Sequence, residues 1–158
     1  TIETIKNNHI NYSYNENSVN LLEQINADIF YLDPPYNQRQ YAPNYHLMET
    51  IAKYDNPEIK GVSGMRSYEN QKSLFCNAET GLQELFKIAK NGKFKTLILS
   101  YNSEGIMPQQ KIISVLEQFG TVELVEFDYL RFKSNSNGDS KHKKYIQEQL
   151  YILKKNEK

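Results

Sequence analysis

The strongest constraint on the fold is a short apolar segment that stops abruptly at two prolines. Residues 28–32 read Asp-Ile-Phe-Tyr-Leu, and Asp33, Pro34 and Pro35 follow directly. Branched and aromatic side chains favour an extended strand, and proline cannot donate the backbone hydrogen bond that would continue it. The sequence therefore predicts a buried strand, central in its sheet, that ends at Asp33.

The rest of the chain alternates between helical and extended patterns. Apolar spacing, caps and prolines predict helices over residues 19–25, 43–55, 79–90 and 108–119. Further strands are predicted over residues 10–14, 96–101, 122–132 and 145–153. Strands separated by helices and followed by two adjacent strands predict a three-layer α/β domain over residues 1–158, with a mostly parallel sheet that ends in an antiparallel hairpin.

Several classes of protein are disfavoured by simple absences. No stretch approaches the roughly 18 consecutive apolar residues of a membrane span, and the first residues, Thr-Ile-Glu, do not resemble a secretory signal. The single cysteine, Cys76, cannot form an internal disulfide, and the histidines are few and scattered. We therefore expect a cytoplasmic protein without a bound metal.

The charge distribution leaves room for a local basic patch. The formal net charge is +0, whereas dedicated nucleic-acid-binding domains usually carry a basic excess. Much of the positive charge nevertheless lies late in the chain, at Arg131, Lys133, Lys141, Lys143 and Lys144. All of them except Arg131 lie in a polar segment, residues 133–144, between the last two predicted strands.

Asp33, Pro34, Pro35 and Tyr36 are the strongest candidates for chemistry. Ligands of open parallel sheets bind beyond the carboxyl ends of the strands, which is where this segment is predicted to lie. The Asp33 carboxylate and the Pro34 carbonyl can each accept one hydrogen of an exocyclic amine, and the Tyr36 ring can stack on a flipped base. The alternative is an ordinary strand-ending turn stiffened by proline.

The same residues resemble a known motif. Asp33-Pro34-Pro35-Tyr36-Asn37 resembles the catalytic motif of the Dam-like (alpha-group) adenine-specific DNA methyltransferases of restriction–modification systems. Residues 99–103, Leu-Ser-Tyr-Asn-Ser, resemble the next strand-end motif of that family, and residues 127–155 resemble its closing hairpin. The resemblance implies a Rossmann-like methyltransferase fold, S-adenosylmethionine as methyl donor, and a flipped adenine in double-stranded DNA as substrate.

One part of the family pattern is missing. The family begins with a strand and a Phe-x-Gly-x-Gly loop that holds the methionine end of the cofactor, and the seven glycines of this chain are scattered singly. The chain thus resembles the C-terminal catalytic half of a larger enzyme. We expect weak cofactor binding without the N-terminal half, and an uncovered edge or face of the sheet that would favour self-association or a complementing chain.

Other residues are candidates for supporting roles. Asn17 falls where the family has a cofactor contact, although a helix N-cap is an equally good role for it; Asp33 is a second cofactor candidate. Residues that could line the base pocket or contact DNA phosphates are Tyr41, Asn44, Tyr45, Arg39, Lys60, Arg66, Lys141, Lys143 and Lys144. Isolated cations in loops are more often simply solvated.

Two alternatives to DNA adenine methylation remain open at this point. The substrate could be an amine in RNA or protein, against which the aspartate at position 33 argues, since those relatives usually carry Asn there. The chain could also be a catalytically silent fragment that binds nucleic acid or a partner chain. The missing glycine loop favours this second alternative.

Overall fold

The computed structural model describes residues 10–130 and 145–156. Its helices are α1 (Ser18–Gln24), α2 (Tyr41–Lys53), α3 (Ala78–Asn91) and α4 (Gln109–Leu116). Its strands are β1 (Asn26–Leu32), β2 (Ile59–Lys60), β3 (Met65–Arg66), β4 (Lys93–Asn102), β5 (Gly120–Leu130) and β6 (Tyr145–Lys155). Every helix predicted from the sequence is present, and the polar loop 133–144 lies outside the described residues.

The main sheet has four strands in the order β1-β4-β6-β5, and β2 and β3 form a separate small hairpin. β1 pairs parallel with β4, whereas β6 is antiparallel to both β4 and β5. The predicted closing hairpin of β5 and β6 is confirmed. Three of the four strands share one direction, yet only one of the three pairings is parallel, because the reversed strand β6 is inserted between β4 and β5.

One face of the main sheet is buried under α1, α3 and α4. Phe30, Leu97 and Leu153 lie side by side on this face, since they are register partners across β1, β4 and β6. The helices contribute apolar residues at helical spacing to the same core, namely Val19, Leu22, Leu85, Ile88, Ala89, Ile112 and Leu116. Each fully buried aliphatic side chain of this kind stabilises the fold by about 1.5–3 kcal/mol.

The opposite face is open, so the prediction of three layers was wrong for the described part of the chain. Ile29 and Tyr31, which alternate with the buried Phe30, are 58% and 61% exposed, and Phe127 on β5 is 47% exposed. β1 is also an edge strand of the described sheet rather than a central one. Its apolar run indicated burial on both faces, but helices cover only one.

The predicted strand over residues 10–14 is also absent. These residues form no regular structure, and Ile10 and Tyr12 are 77% and 72% exposed. A strand depends on hydrogen bonds to a neighbour, and in the described ranges β1 pairs only with β4. Local propensity alone therefore does not make this segment extended and paired.

Hydrogen bonds link two buried polar side chains of β6 to an exposed carboxylate on β5. The hydroxyl of Tyr151, a fully buried residue, donates to Gln149 Oε1 at 2.8 Å. Gln149 Nε2 in turn donates to Glu126 Oε1 at 2.7 Å. Burial, followed by the nearby Glu126 carboxylate, raises the pKa of Tyr151 to about 12. These hydrogen bonds provide partners for the buried polar groups of Tyr151 and Gln149.

Replacing Tyr151 by Phe is expected to lower the free energy of unfolding by about 1–3 kcal/mol, because Gln149 Oε1 loses its buried donor. Urea denaturation would measure the loss, and Tyr129→Phe, at a 53% exposed residue, is the control that should change little.

The same variant tests the pKa of Tyr151. A raised folded-state pKa gives stability that is fully present below pH 10, the ordinary value, and is lost as the pH rises towards 12. The stability difference between wild type and Tyr151→Phe should therefore shrink over that range. A difference independent of pH would contradict the assignment.

Candidate active site

The segment Asp33–Tyr36 lies at the carboxyl end of β1, as predicted. It has no regular secondary structure, and the side chains of Asp33 and Tyr36 are exposed. Because Leu32 is the register partner of Leu99 in the parallel strand β4, the loops that follow β1 and β4 emerge at the same edge of the sheet. The two motifs identified in the sequence are therefore neighbours in space.

Hydrogen bonds fasten these two loops to each other. The carbonyl oxygen of Tyr36 accepts from the backbone N–H of Ile106 at 2.9 Å and from the hydroxyl of Tyr101 at 3.4 Å. The same hydroxyl accepts from the backbone N–H of Met107 at 3.2 Å. Tyr101 is almost completely buried, and this burial raises the pKa of its hydroxyl. The position of Tyr36 is thus set by the strand beside it.

A glycine makes this arrangement possible. A Cβ atom at Gly105 would lie 2.0 Å from Cε1 of the Tyr101 ring, a distance that no real contact allows. The turn is completed by Asn102, whose Oδ1 accepts from the N–H of Glu104 at 3.0 Å. Gly105 was not singled out from the sequence, although its place three residues after the Tyr-Asn pair was a usable signal.

Two tyrosines at the start of α2 lie next to the motif. The rings of Tyr41 and Tyr45 stack, with centroids 6.4 Å apart and planes inclined by 20°. Burial raises the pKa of Tyr41, and the nearby Tyr36 and Asp33 raise it further. Tyr41 therefore lies near Tyr36 and Asp33.

Tyr41 and Tyr45 also line a cleft of about 280 Å³. Its other lining residues are Ala42, His46, Glu49, Arg66, Tyr68 and Gln71. Three residues that the sequence analysis proposed for substrate contact, Tyr41, Tyr45 and Arg66, therefore meet in one place. The participation of His46, Glu49, Tyr68 and Gln71 was not predicted, because it depends on how the small hairpin packs against α2.

Arg66 is engaged in an internal ion pair. Its two terminal nitrogens donate to the two carboxylate oxygens of Asp55, at 3.0 and 2.5 Å, and one of them also donates to Thr50 Oγ1 at 3.3 Å. The Arg66 side chain is only 11% exposed. The hydrogen bond to Arg66 lowers the pKa of Asp55. The observed role of Arg66 is to join β3 to the end of α2, and a DNA contact by it stays a prediction.

The remaining candidates are scattered. Asn17 is the N-cap of α1, and its Oδ1 accepts from the N–H groups of Val19 and Asn20. The helix-capping role is therefore confirmed, and a cofactor contact by Asn17 stays a prediction. Arg39, Asn44 and Lys60 are exposed. Three cations, Lys141, Lys143 and Lys144, lie outside the described residues.

Two other findings limit the chemistry of the described ranges. The Cys76 thiol is buried against the carbonyl of Arg39, at 3.4 Å, and burial raises its pKa, which favours a structural role. Within residues 10–130 and 145–156, no three His, Cys, Asp or Glu side chains are placed to hold a metal ion.

None of the helices in the described ranges is both long and apolar enough to span a membrane.

Comparison with known proteins identifies the family. A family model for D12 class N6 adenine-specific DNA methyltransferases matches residues 1–120. The chain belongs to this family. No solved structure matches it significantly. The methyl donor that this D12 methyltransferase family implies is S-adenosylmethionine.

Relatives of this D12 family member are modification enzymes. The chain is 35% identical to the type II methyltransferase M.FokI of Planomicrobium okeanokoites over 158 residues, which is 98% of this chain and 24% of that protein. It is 38% identical to the type II methyltransferase M.NlaIII of Neisseria lactamica, covering 90% of this chain and 42% of the relative. It is 34% identical to the modification methylase StsI of Streptococcus sanguinis, covering 94% of this chain and 23% of that protein. The chain therefore spans less than half the length of these relatives.

The described residues of this D12 family member suit one part of S-adenosylmethionine. A carboxylate and an aromatic ring at the sheet edge, Asp33 and Tyr36, suit the surroundings of a positively charged sulfonium and a purine. The glycines with positive φ in the described ranges, Gly61 and Gly64, belong to the β2–β3 hairpin and not to a strand-to-helix turn. The described residues thus provide no glycine loop for the methionine end.

Replacing Gly105 by Ala is expected to displace the Tyr101 ring and lower the free energy of unfolding by about 1–3 kcal/mol. Chemical denaturation would measure this loss. The control is the same substitution in a Tyr101→Leu background, where the smaller side chain should reduce the cost. An equal cost in both backgrounds would show that the ring is not what Gly105 accommodates.

Proposed function

We propose that this protein transfers a methyl group from S-adenosylmethionine to the exocyclic N6 amine of adenine in double-stranded DNA, as the modification enzyme of a restriction–modification system. The observation that carries the proposal is the position of Asp33–Tyr36 at the carboxyl end of β1, fastened to the loop after β4. In this family member, that edge of the sheet is where a substrate would meet the motif.

The chemistry requires that a poor nucleophile be oriented. The lone pair of the adenine amine is delocalised into the ring, so the enzyme must hold the nitrogen with that pair directed at the methyl carbon. The Asp33 carboxylate accepts one amine hydrogen and the Pro34 carbonyl accepts the other, while Tyr36 stacks on the ring. Pro35 keeps these groups in register by restricting the backbone between them.

Such a geometry can act only on a base outside the double helix. In a paired, stacked adenine one amine hydrogen already bonds to thymine and neighbouring bases cover both ring faces. Asp33, Pro34 and Tyr36 therefore cannot all engage it within the helix. We infer that the target adenine is flipped, and that the stacked pair Tyr41 and Tyr45 contributes apolar surface beside it. Base–aromatic stacking of this kind contributes roughly 1–3 kcal/mol per base.

Phosphate contacts would come from cations outside the catalytic motif. Arg39 and Lys60 are exposed and follow the motif in the sequence. Lys141, Lys143 and Lys144 form a denser group in the sequence, within residues 133–144. We propose these residues, with Arg66 as a further candidate, for nonspecific attraction to the DNA backbone.

The methyl donor would be shared with another part of the enzyme. S-adenosylmethionine, when bound, supplies a methyl group activated by the positively charged sulfur. We propose that Asp33 and Asn17 contribute to its surroundings from this chain, and that the methionine end is held elsewhere. Residues 1–158 would then be a single, partial methyltransferase domain of Rossmann-like fold.

The open side of the sheet supports a complementing N-terminal half. Ile29, Tyr31, Val125 and Phe127 expose apolar surface on the face that α1, α3 and α4 leave uncovered, and β1 presents an edge. Surfaces of this kind favour association. We propose that the cofactor-binding half covers it; a second copy of this chain is the alternative. Since its substrate would be chromosomal DNA, the enzyme would act in the bacterial cytoplasm.

Two other functions are distinguishable by substrate. A methyltransferase for RNA or protein amines would label those polymers and leave DNA unlabelled. A silent binding fragment would label none of them, even with its complementing half present. The aspartate in the motif and the family of the chain favour DNA adenine over both alternatives.

Replacing Asp33 by Ala, in a catalytically competent polypeptide that contains residues 1–158, is expected to lower methyl transfer to DNA by at least about 100-fold, because the amine loses the acceptor that orients it. Because the Asp33 side chain is exposed, the variant should be as stable as the wild type. Radiolabelled methyl incorporation into DNA and thermal unfolding would measure the two effects. The control is Asp28→Ala, which removes another exposed carboxylate of the same strand, paired with Lys95 at 2.7 Å. Near-normal turnover of Asp33→Ala would refute the proposed role.

The isolated chain is expected to bind S-adenosylmethionine weakly. Each buried polar group of the cofactor left without a partner costs roughly 1–3 kcal/mol, so two such losses weaken binding by several powers of ten. Calorimetric titration should detect no micromolar complex with the chain alone, and addition of a complementing N-terminal half should restore one. Micromolar binding to the lone chain, with a dimeric mass, would favour self-association instead.

A further inference from the structure

A second carboxyl group lies near Asp33, on the opposite side of β4. Glu148 belongs to β6, and its register partners are Asn102 on β4 and Phe127 on β5. It was not singled out from the sequence, because β6 is far from the catalytic motif along the chain. Only the insertion of β6 beside β4 brings the two together.

The strand register fixes the side of the sheet on which Glu148 lies. Leu99 and Tyr151 are partners on the buried face, as are Tyr101 and Gln149. The alternate pair, Asn102 and Glu148, therefore lies on the other side of the sheet, where Asn102 is buried and Glu148 is partly buried.

Asp33 points to the same face at almost the same level. Phe30 is buried and Tyr31 is exposed, and continuing this alternation one residue past the end of β1 at Leu32 assigns Asp33 to the side of Tyr31. Since Leu32 pairs with Leu99, Asp33 follows at the level of Ser100, two residues before Asn102. β1 and β6 flank β4, which places the two backbones roughly 10 Å apart and lets both carboxyl groups converge above β4.

The electrostatic environment agrees with this placement. Partial burial raises the pKa of Glu148, and the negative charge of Asp33 raises it further. The residues packed beside it, Asn102 and Phe127, do not titrate. Among the described residues, Asp33 is thus the charge that acts on Glu148. Two carboxyl groups that face one site can divide the work of orienting the substrate and accepting a proton.

We propose that Glu148 is a further catalytic residue, which accepts the proton released by the adenine amine during methyl transfer. The inference rests on the proposed function. The amine lone pair forms the new nitrogen–carbon bond, while the electron pair of the broken carbon–sulfur bond stays on sulfur. The nitrogen then carries a positive charge and must lose one hydrogen as a proton. The Glu148 carboxylate takes it, directly or through one water, and returns it to solvent.

Glu148 suits this step better than its neighbours do. The carbonyl oxygen of Pro34 can hold a hydrogen bond, but it does not take up a proton at neutral pH. Asp33 is engaged in orienting the amine. A carboxylate of raised pKa binds a proton more tightly than an ordinary one, and efficient bases have pKa values nearer the working pH.

The test is Glu148→Gln in the competent polypeptide that contains residues 1–158. This change keeps the size of the side chain and one acceptor oxygen, but it removes the basicity. We expect single-turnover methyl transfer to fall by about 100-fold or more, with DNA affinity within about twofold of wild type. The wild-type rate should rise with pH as Glu148 ionises. This rise should be absent from the pH–rate profile of the variant. Glu117→Gln, at an exposed residue after α4, is the matched control.

A second measurement does not depend on activity. The pKa of Glu148, followed by carboxyl-carbon NMR in the same polypeptide, should fall when Asp33 is replaced by Asn. An unchanged Glu148 pKa in Asp33→Asn would overturn the proposal. So would a methyl-transfer rate of Glu148→Gln within threefold of wild type, or a loss of DNA affinity in Glu148→Gln as large as its loss of rate. If wild type methylates adenine and Asp33→Ala does not, the proposed function stands whichever result Glu148 gives.

Discussion

The parallel pairing of β1 with β4 is the interaction on which the candidate site depends. It brings the ends of two strands, separated by more than sixty residues of sequence, to one edge of the sheet. The Tyr101 ring then fills the space beneath the turn at Gly105, and its hydroxyl reaches the carbonyl of Tyr36. The catalytic motif is therefore positioned by its neighbour strand and not by proline rigidity alone.

The two faces of the sheet differ in how they are covered. One face is buried under three helices, and its apolar residues form a continuous core. The other carries a row of exposed apolar side chains together with the carboxyl groups of Asp33 and Glu148. Covering this face with another part of the enzyme would also enclose those carboxyl groups and strengthen their electrostatic effects, because water would be excluded. Assembly and catalysis would thus share one surface.

The charged groups that we place beside the reacting atoms, Asp33 and Glu148, are both acidic, and Arg66 in the cleft beside α2 is held by Asp55. A site of this character suits a neutral nucleophile and a cationic donor better than a negatively charged substrate atom. Attraction to phosphates would then come from other cations, such as the exposed Arg39 and Lys60.

The sequence by itself determined the local elements and predicted the chemistry of the motif. Helical spacing located the four α-helices of the described residues, and two prolines placed Asp33 at the end of a strand. The tertiary structure alone decided that β1 lies at an edge of the described sheet, that residues 10–14 form no strand, that Arg66 is paired and that Glu148 lies on the strand beside β4. The physical reason is that propensity and periodicity depend on neighbouring residues, whereas pairing, coverage and ion pairs depend on partners distant in sequence.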